Sequence, residues 1–86
     1  MRLEPVRIHP HAQARIQERG ATEEEVAGTV REGERFEAKF GRTGFRRNFP
    51  FGGTWNGRSF ATKQLEVYAV WEADAWLVIT VIVRYF

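Results

Sequence analysis

Leu65-Glu66-Val67-Tyr68-Ala69-Val70-Trp71-Glu72-Ala73-Asp74-Ala75-Trp76-Leu77-Val78-Ile79-Thr80-Val81-Ile82-Val83-Arg84-Tyr85 is the stretch that decides the fold. Leu65, Val67, Ala69 and Trp71 alternate with Glu66, Tyr68, Val70 and Glu72, the two-residue period of a strand with unlike faces. Glu72-Ala73-Asp74-Ala75 supplies a turn. Trp76 to Tyr85 is then a nearly continuous run of β-formers, as in a central strand covered on both sides. Strict alternation assigns Trp76, Val78, Thr80, Ile82 and Arg84 to one face of it. Leu77, Ile79, Val81, Val83 and Tyr85 go to the other.

Upstream of this hairpin the period lengthens to that of helices. His9-Pro10 opens the first, because proline suits a first helical turn, where its missing N–H would be unpaired anyway. Ala12 and Ile16 give it a narrow apolar face, and Gly20 stops it. Thr22 caps the second helix, and Glu25, three residues on, completes a capping box. Val26 and Val30 form its apolar stripe, and Gly33 ends it. Before the first helix, Val6-Arg7-Ile8 reads as a short edge strand or an extended arm, with Pro5 keeping it out of a sheet centre.

Between helices and hairpin the pattern is mixed. Phe36, Ala38 and Phe40 alternate with Glu37 and Lys39 as in a strand, and Gly41 and Gly44 bracket a turn. Asn56-Gly57 is a strong hairpin signal. Five of the eight glycines fall between Gly41 and Gly57, so residues 41–60 read either as sheet or as a mobile loop. The expected architecture is α+β: two N-terminal helices on one face of a mainly antiparallel sheet of three to five strands. The second face is left to a ligand, a loop or a partner.

The 86 residues fit a single domain, residues 1–86. An apolar share of 43% with 28% charged residues is globular composition and argues against disorder. There is no Cys, which excludes disulfides, thiolate metal sites and cysteine nucleophiles and agrees with a cytoplasmic location. The longest strongly apolar run, Ala75 to Val83, is too short for a membrane-spanning helix of about 20 residues. Met1-Arg2-Leu3-Glu4-Pro5 lacks the apolar stretch of a signal peptide.

Charge placement points to a polyanion. Between Glu37 and Glu66 there is no acid, while Lys39, Arg42, Arg46, Arg47, Arg58 and Lys63 give a local charge of +6. Aromatics are interleaved with these cations in Phe45-Arg46-Arg47-Asn48-Phe49 and from Trp55 to Arg58, a composition that can stack bases or simply fill a core. Asp74 is the only aspartate, and no carboxylate cluster suggests a two-metal site. No glycine-rich phosphate loop with a following lysine is present. His9 and His11 are two apart and would face different ways on a helix, so they make no metal site, and no cofactor is implied.

His11 is the natural proton-transfer residue, because histidine exchanges protons near neutrality. Arg15 lies one turn on. Thr80 interrupts an apolar strand with a hydroxyl, and Arg84 lies two pleats further on the same face. Metal-free RNA cleavage needs a base for the 2′-hydroxyl proton, an acid for the leaving 5′-oxygen and cations for the phosphorane charge. His11, Arg15, Thr80 and Arg84 are the catalytic candidates if these four converge. Arg19, Lys39, Arg42, Arg46, Arg47, Arg58, Lys63 and Tyr85 are the nucleic-acid-binding candidates.

The phrase His11-Ala12-x-x-Arg15-x-x-x-Arg19-Gly20-x-Thr22-x-x-x-Val26 resembles the N-terminal signature of a family of small bacterial and phage domains of unknown function. That family is similar to BrnT toxins and more distantly to RelE-like toxins. Its last strand carries an apolar-Thr-apolar motif followed by aromatics and arginine, matched here by Val78-Ile79-Thr80-Val81-Ile82-Val83-Arg84-Tyr85. The resemblance covers residues 9–33 and 64–86. It implies a RelE/BrnT-like fold and a metal-independent endoribonuclease, acting on RNA alone or on the ribosome and paired with an antitoxin protein. His11, Arg15, Arg19 and Thr80 are its matched positions, with Arg84 and Tyr85 approximate. The Phe/Gly-rich middle, Phe40 to Phe60, and Trp71 and Trp76 depart from the pattern. Two other classes stay open beside the nuclease. One is a non-catalytic RNA- or ribosome-binding module. The other is a protein-interaction domain, a homodimer included, that uses the open sheet face.

Overall fold

A computed structural model describes residues 4–86, so Met1, Arg2 and Leu3 of the N-terminal reading lie outside the described residues. The elements, in order, are β1 (Val6–Ile8), α1 (Pro10–Glu18), α2 (Glu23–Glu32), β2 (Glu34–Glu37), β3 (Thr43–Trp55), β4 (Arg58–Glu72) and β5 (Ala75–Tyr85). The strands form one five-stranded sheet in the order β1-β5-β4-β3-β2. All neighbours are antiparallel except β1, which pairs parallel to β5 at the edge. The fold is α+β, with a mixed sheet. No helix among the described residues is long and apolar enough to cross a membrane.

Local chemistry sets the helices. His9 caps α1, its ring Nδ1 accepting from the His11 backbone N–H at 3.1 Å, with Pro10 in the first turn. Thr22 and Glu25 form the reciprocal capping box of α2: the Glu25 N–H donates to Thr22 Oγ1 at 3.1 Å, and the Thr22 N–H donates to Glu25 Oε1 at 3.0 Å. Thr22→Ala is expected to cost about 1 kcal/mol, the usual worth of an N-cap hydroxyl, read as a lowered denaturant midpoint at unchanged slope.

Ala12 and Ile16 of α1 and Val26 and Val30 of α2 pack on Phe45, Leu65, Val67, Val78 and Val81 of the sheet. Both helices therefore lie on one face. The opposite face carries Glu34 and Phe36 of β2, Arg46 and Asn48 of β3, Gln64, Glu66 and Tyr68 of β4, and Thr80, Ile82 and Arg84 of β5, which are cross-strand partners or near neighbours. Neither α1 nor α2 covers that face.

Two features differ from the strict alternation read in the sequence. The β4–β5 register shifts at Tyr68/Ala69: Tyr68 faces Thr80 and Ala69 faces Val78, so Ile79 is an extra residue in β5. Trp76 and Val78 consequently share the core face with Val81, while Thr80, Ile82 and Arg84 take the open face. Second, of residues 41–60, Thr43–Trp55 and 58–60 are strand, joined by a tight turn rather than a mobile loop. β3 and β4 pair from Thr43↔Ala69 to Trp55↔Arg58, closing at Asn56-Gly57, whose φ values of 51° and 78° suit a two-residue primed turn. The strand expected at Phe36–Phe40 is instead Glu34–Glu37, and the chain turns through Phe40 and Gly41, both at positive φ.

Beyond Lys63 the β3–β4 hairpin outruns β5 and bends. A second register shift between Pro50 and Gly53, with Gly52 at φ 55°, turns it toward the helices. Trp55 stacks on Tyr85 at 5.0 Å between ring centres, and Phe51 and Phe60 pack around the same ring. The Tyr85 hydroxyl donates to the Arg19 carbonyl at 2.7 Å, so the arm clasps the α1–α2 turn.

Candidate functional site

The open face is organised around Glu66, which is only 6% exposed. It sits in the middle of β4 between Arg46 of β3 and Ile82 of β5. Arg46 donates from Nε to Glu66 Oε2 at 3.1 Å, and Arg84 donates from Nη1 to the same oxygen at 3.1 Å. The other oxygen, Oε1, accepts from the Tyr68 hydroxyl. Arg46 also reaches Glu34 at 3.1 Å, and its guanidinium lies 4.7 Å from the centre of the Phe36 ring. Burial pushes the Glu66 carboxyl up, but hydrogen bonds from Tyr68 and Arg46 and the charges of Arg84 and Arg46 outweigh it, so its pKa is lowered. The same hydrogen bond, with burial and the carboxylate charge, raises the Tyr68 hydroxyl above its ordinary 10.0. The result is an ionised carboxylate holding two guanidiniums side by side.

Next to this group is an open cleft of about 420 Å³, lined by Phe36 and Glu37 of β2, by Tyr68, Thr80 and Ile82, and by Lys39, Phe40 and Arg42 of the β2–β3 loop. Gly44 permits the wall. A Cβ there would stand 2.3 Å from the Phe36 ring, which lies over the glycine and meets Tyr68 edge-on at 6.1 Å.

The four expected catalytic residues do not assemble. His11 and Arg15 are exposed on α1, on the helical side of the sheet. Thr80 and Arg84 are on the other side, at the cleft and at Glu66 respectively. The sheet itself separates the pairs. The extra residue at Ile79 fixes Thr80 on the open face, and it has no signature in the amino-acid pattern.

The basic block divides in the same way. Lys63 is 7% exposed, donating to Glu25 at 2.8 Å and to the Gly20 carbonyl at 3.1 Å. Arg47 pairs with Glu32 at 2.9 Å and lies over Phe49, Arg19 donates to the Val81 carbonyl, and Tyr85 is in the aromatic clasp. These four tie helices to sheet rather than facing a ligand. Arg58 stands at the hairpin tip over Phe60. Lys39, Arg42 and Arg46 remain on the open side. Phe45, one of the stacking candidates, is core at 2% exposure. Sequence reasoning missed Glu66, whose signal was a carboxylate alternating with Leu65, Val67 and Ala69 on a strand whose pairing with Arg46 of β3 was unread.

Among the described residues no three His, Cys, Asp or Glu side chains gather as a metal-binding group. No family model, curated protein or solved structure matches the chain.

Proposed function

We propose that the uncovered sheet face binds the backbone of single-stranded RNA, the substrate class implied by the resemblance to RelE-like and BrnT-like toxins. One observation carries this reading: Glu66 fixes Arg46 and Arg84 next to each other beside an open cleft. Glu66 and Glu34 engage Arg46 through Nε and Nη1, and Glu66 engages Arg84 through Nη1. A guanidinium has five N–H donors, so both keep donors for phosphate oxygens, in an orientation already set by the carboxylate. RNA and ribosomes as targets put its place of action in the cytoplasm.

Arg84→Gln keeps a donor for Glu66 and removes one charge. It is expected to weaken binding of an RNA oligonucleotide several-fold and to lower the salt slope by about 0.7, one phosphate contact on a single strand. Arg15→Gln, on the helical side, is expected to change neither. Equal losses in the two variants, or binding without salt dependence, would remove the reading.

A second reading, cleavage of the bound strand, is favoured by the Tyr68–Glu66 pair beside the two guanidiniums. In it water accepts the 2′-hydroxyl proton as the 2′-oxygen attacks phosphorus, and Glu66 keeps Tyr68 and the two arginines in place. Tyr68 gives a proton to the departing 5′-oxygen, and the arginines neutralise the phosphorane. The products carry a 2′,3′-cyclic phosphate and a 5′-hydroxyl. Incubation with RNA in EDTA, with and without ribosomes, separates the readings: cleavage lost in Tyr68→Phe and kept in His11→Ala belongs to this face. The partner in a toxin-type assembly, an antitoxin protein or a second copy, would cover this same open sheet face.

A further inference from the structure

The β2–β3 loop carries an aromatic side chain that contributes little to the fold. Phe40 is 87% exposed, by far the barest large apolar residue among those described, and its backbone sits at φ 62°. Bulky side chains rarely occupy that region, so a Phe there is a conformational cost without a packing return. The loop is nevertheless closed: the Ala38 N–H donates to the Arg42 carbonyl at 3.1 Å, and the Arg42 N–H to the Lys39 carbonyl at 3.3 Å. The ring is therefore presented by an internally bonded turn. It lines the same cleft as Tyr68, Thr80 and Phe36, between Lys39 and Arg42, with the Arg42 guanidinium 5.9 Å from its centre.

We infer that Phe40 is the stacking platform for one unpaired nucleobase, which makes it a specificity-determining residue for single-stranded over duplex RNA. This rests on the RNA reading of the open face. An exposed aromatic flanked by two cations offers what a nucleotide presents: a flat π-surface attached to an anionic backbone. The hydroxyls of Tyr68 and Thr80 at the cleft wall supply hydrogen-bonding groups for base edges or the 2′-oxygen. Bases in a duplex are stacked on one another and cannot lie on the ring. An apolar peptide would use Phe40 equally well, but it would gain nothing from Lys39 and Arg42.

The test uses the full chain and a 2′-O-methyl oligonucleotide of about ten nucleotides, the scale of a single-strand site. This probe resists cleavage, and it is presented alone and annealed to its complement. The expected results are a preference for the single strand, a roughly tenfold loss in Phe40→Ala and Phe40→Leu, and retention in Phe40→Trp. The salt slope should stay the same in all three, because no ionic contact is removed. The exposure of Phe40 makes all three variants foldable, which a thermal melt verifies. If Phe40→Ala binds like the wild type while Arg84→Gln is weakened, the RNA surface stands and the stacking role falls. Full affinity in Phe40→Leu would also overturn stacking, leaving a plain apolar contact such as a peptide partner would use. If the wild-type chain binds neither form, the RNA reading itself fails and takes this inference with it.

Discussion

Glu66→Gln is expected to lower the unfolding free energy by about 2–3 kcal/mol at neutral pH. Breaking a fully buried ion pair by removing one partner costs about 3–5 kcal/mol. Here the carboxylate is enclosed, but the side chains of Arg46 and Arg84 are 39% and 51% exposed, so water takes back part of what they lose. The amide keeps the volume and one acceptor oxygen. Its oxygen can still accept from both guanidiniums, which already share Oε2, and its NH2 can turn to the Tyr68 oxygen, but its neutrality weakens those bonds and leaves the two cations repelling across β4. The wild-type contribution is pH-dependent with a definite sign. Because the folded carboxyl titrates below its usual value near 4.5, its stabilisation is fully present above that value and is lost as pH falls through the lower folded one. The acid limb of the stability curve should therefore flatten in Glu66→Gln. Spectrophotometric titration gives an independent readout, since the chain has only two tyrosines. Tyr68 is raised chiefly by its hydrogen bond to Glu66, Tyr85 by burial and then by the charge of Glu25. In Glu66→Gln the Tyr68 titration should drop back toward 10.0 while that of Tyr85 stays high. An unchanged acid limb together with unchanged tyrosine titration would mean that the group is not coupled as the geometry has it.

The parts of this molecule written in short-range patterns could be read from the chain, and those set by register could not. The capping box at Thr22 and Glu25, the proline start at Pro10, the Asn56-Gly57 turn and the Leu65–Tyr85 hairpin each depend on residues within a few positions of one another. All appear where the sequence puts them. The site depended on which face of the sheet each residue takes, and a single extra residue inverts that assignment from its position onward. Ile79 does this in β5, so Thr80 left the face of Val78 without any change in β-propensity along the run. The basic block was misleading for a different reason. Charge counted along a chain treats all cations alike, whereas in the sheet alternate positions go to opposite sides. Arg46 thus meets Glu66 while Arg47, its neighbour, reaches back to Glu32 and the Gly28 carbonyl of α2. Lys63 followed its strand parity too, and its ammonium ended beneath the α1–α2 turn. Their charged ends meet helix carboxylates, Arg47 at Glu32 and Lys63 at Glu25, while the two side chains lie against Phe49 and Phe51. The motif His11-Ala12-x-x-Arg15-x-x-x-Arg19-Gly20 acquires a structural account in the same way. Ala12 is core, Arg19 binds a strand carbonyl, and Gly20 lies under the aromatic arm.

That last contact leads to the other large expected effect: Gly20→Ala should destabilise the protein by about 3 kcal/mol. Two costs add. Gly20 has φ 78°, a region in which an L-residue with a Cβ is disfavoured by about 1–2 kcal/mol. A Cβ there would also stand 2.5 Å from the Trp55 ring and 2.6 Å from the Tyr85 hydroxyl. Neither neighbour can yield cheaply. Tyr85 is pinned by its bond to the Arg19 carbonyl, and Trp55 is stacked on Tyr85 with the rings 14° from parallel. Lys63 adds a third tether by donating to the Gly20 carbonyl itself. The part of the steric loss owed to Trp55 should vanish if that ring is removed first, while the Tyr85 hydroxyl still crowds the new Cβ. Trp55→Ala alone is destabilising through lost stacking, but Gly20→Ala in the Trp55→Ala background should cost less than in the wild type, the backbone term of about 1–2 kcal/mol plus the remaining contact with the Tyr85 hydroxyl. A double-mutant cycle by urea denaturation measures the difference. Strict additivity would show that Trp55 does not rest on the turn, and that the β3–β4 arm stands away from the helices in solution. A coupling of about 1 kcal/mol or more would establish the clasp, and with it the reason a glycine follows Arg19 at the end of the first helix.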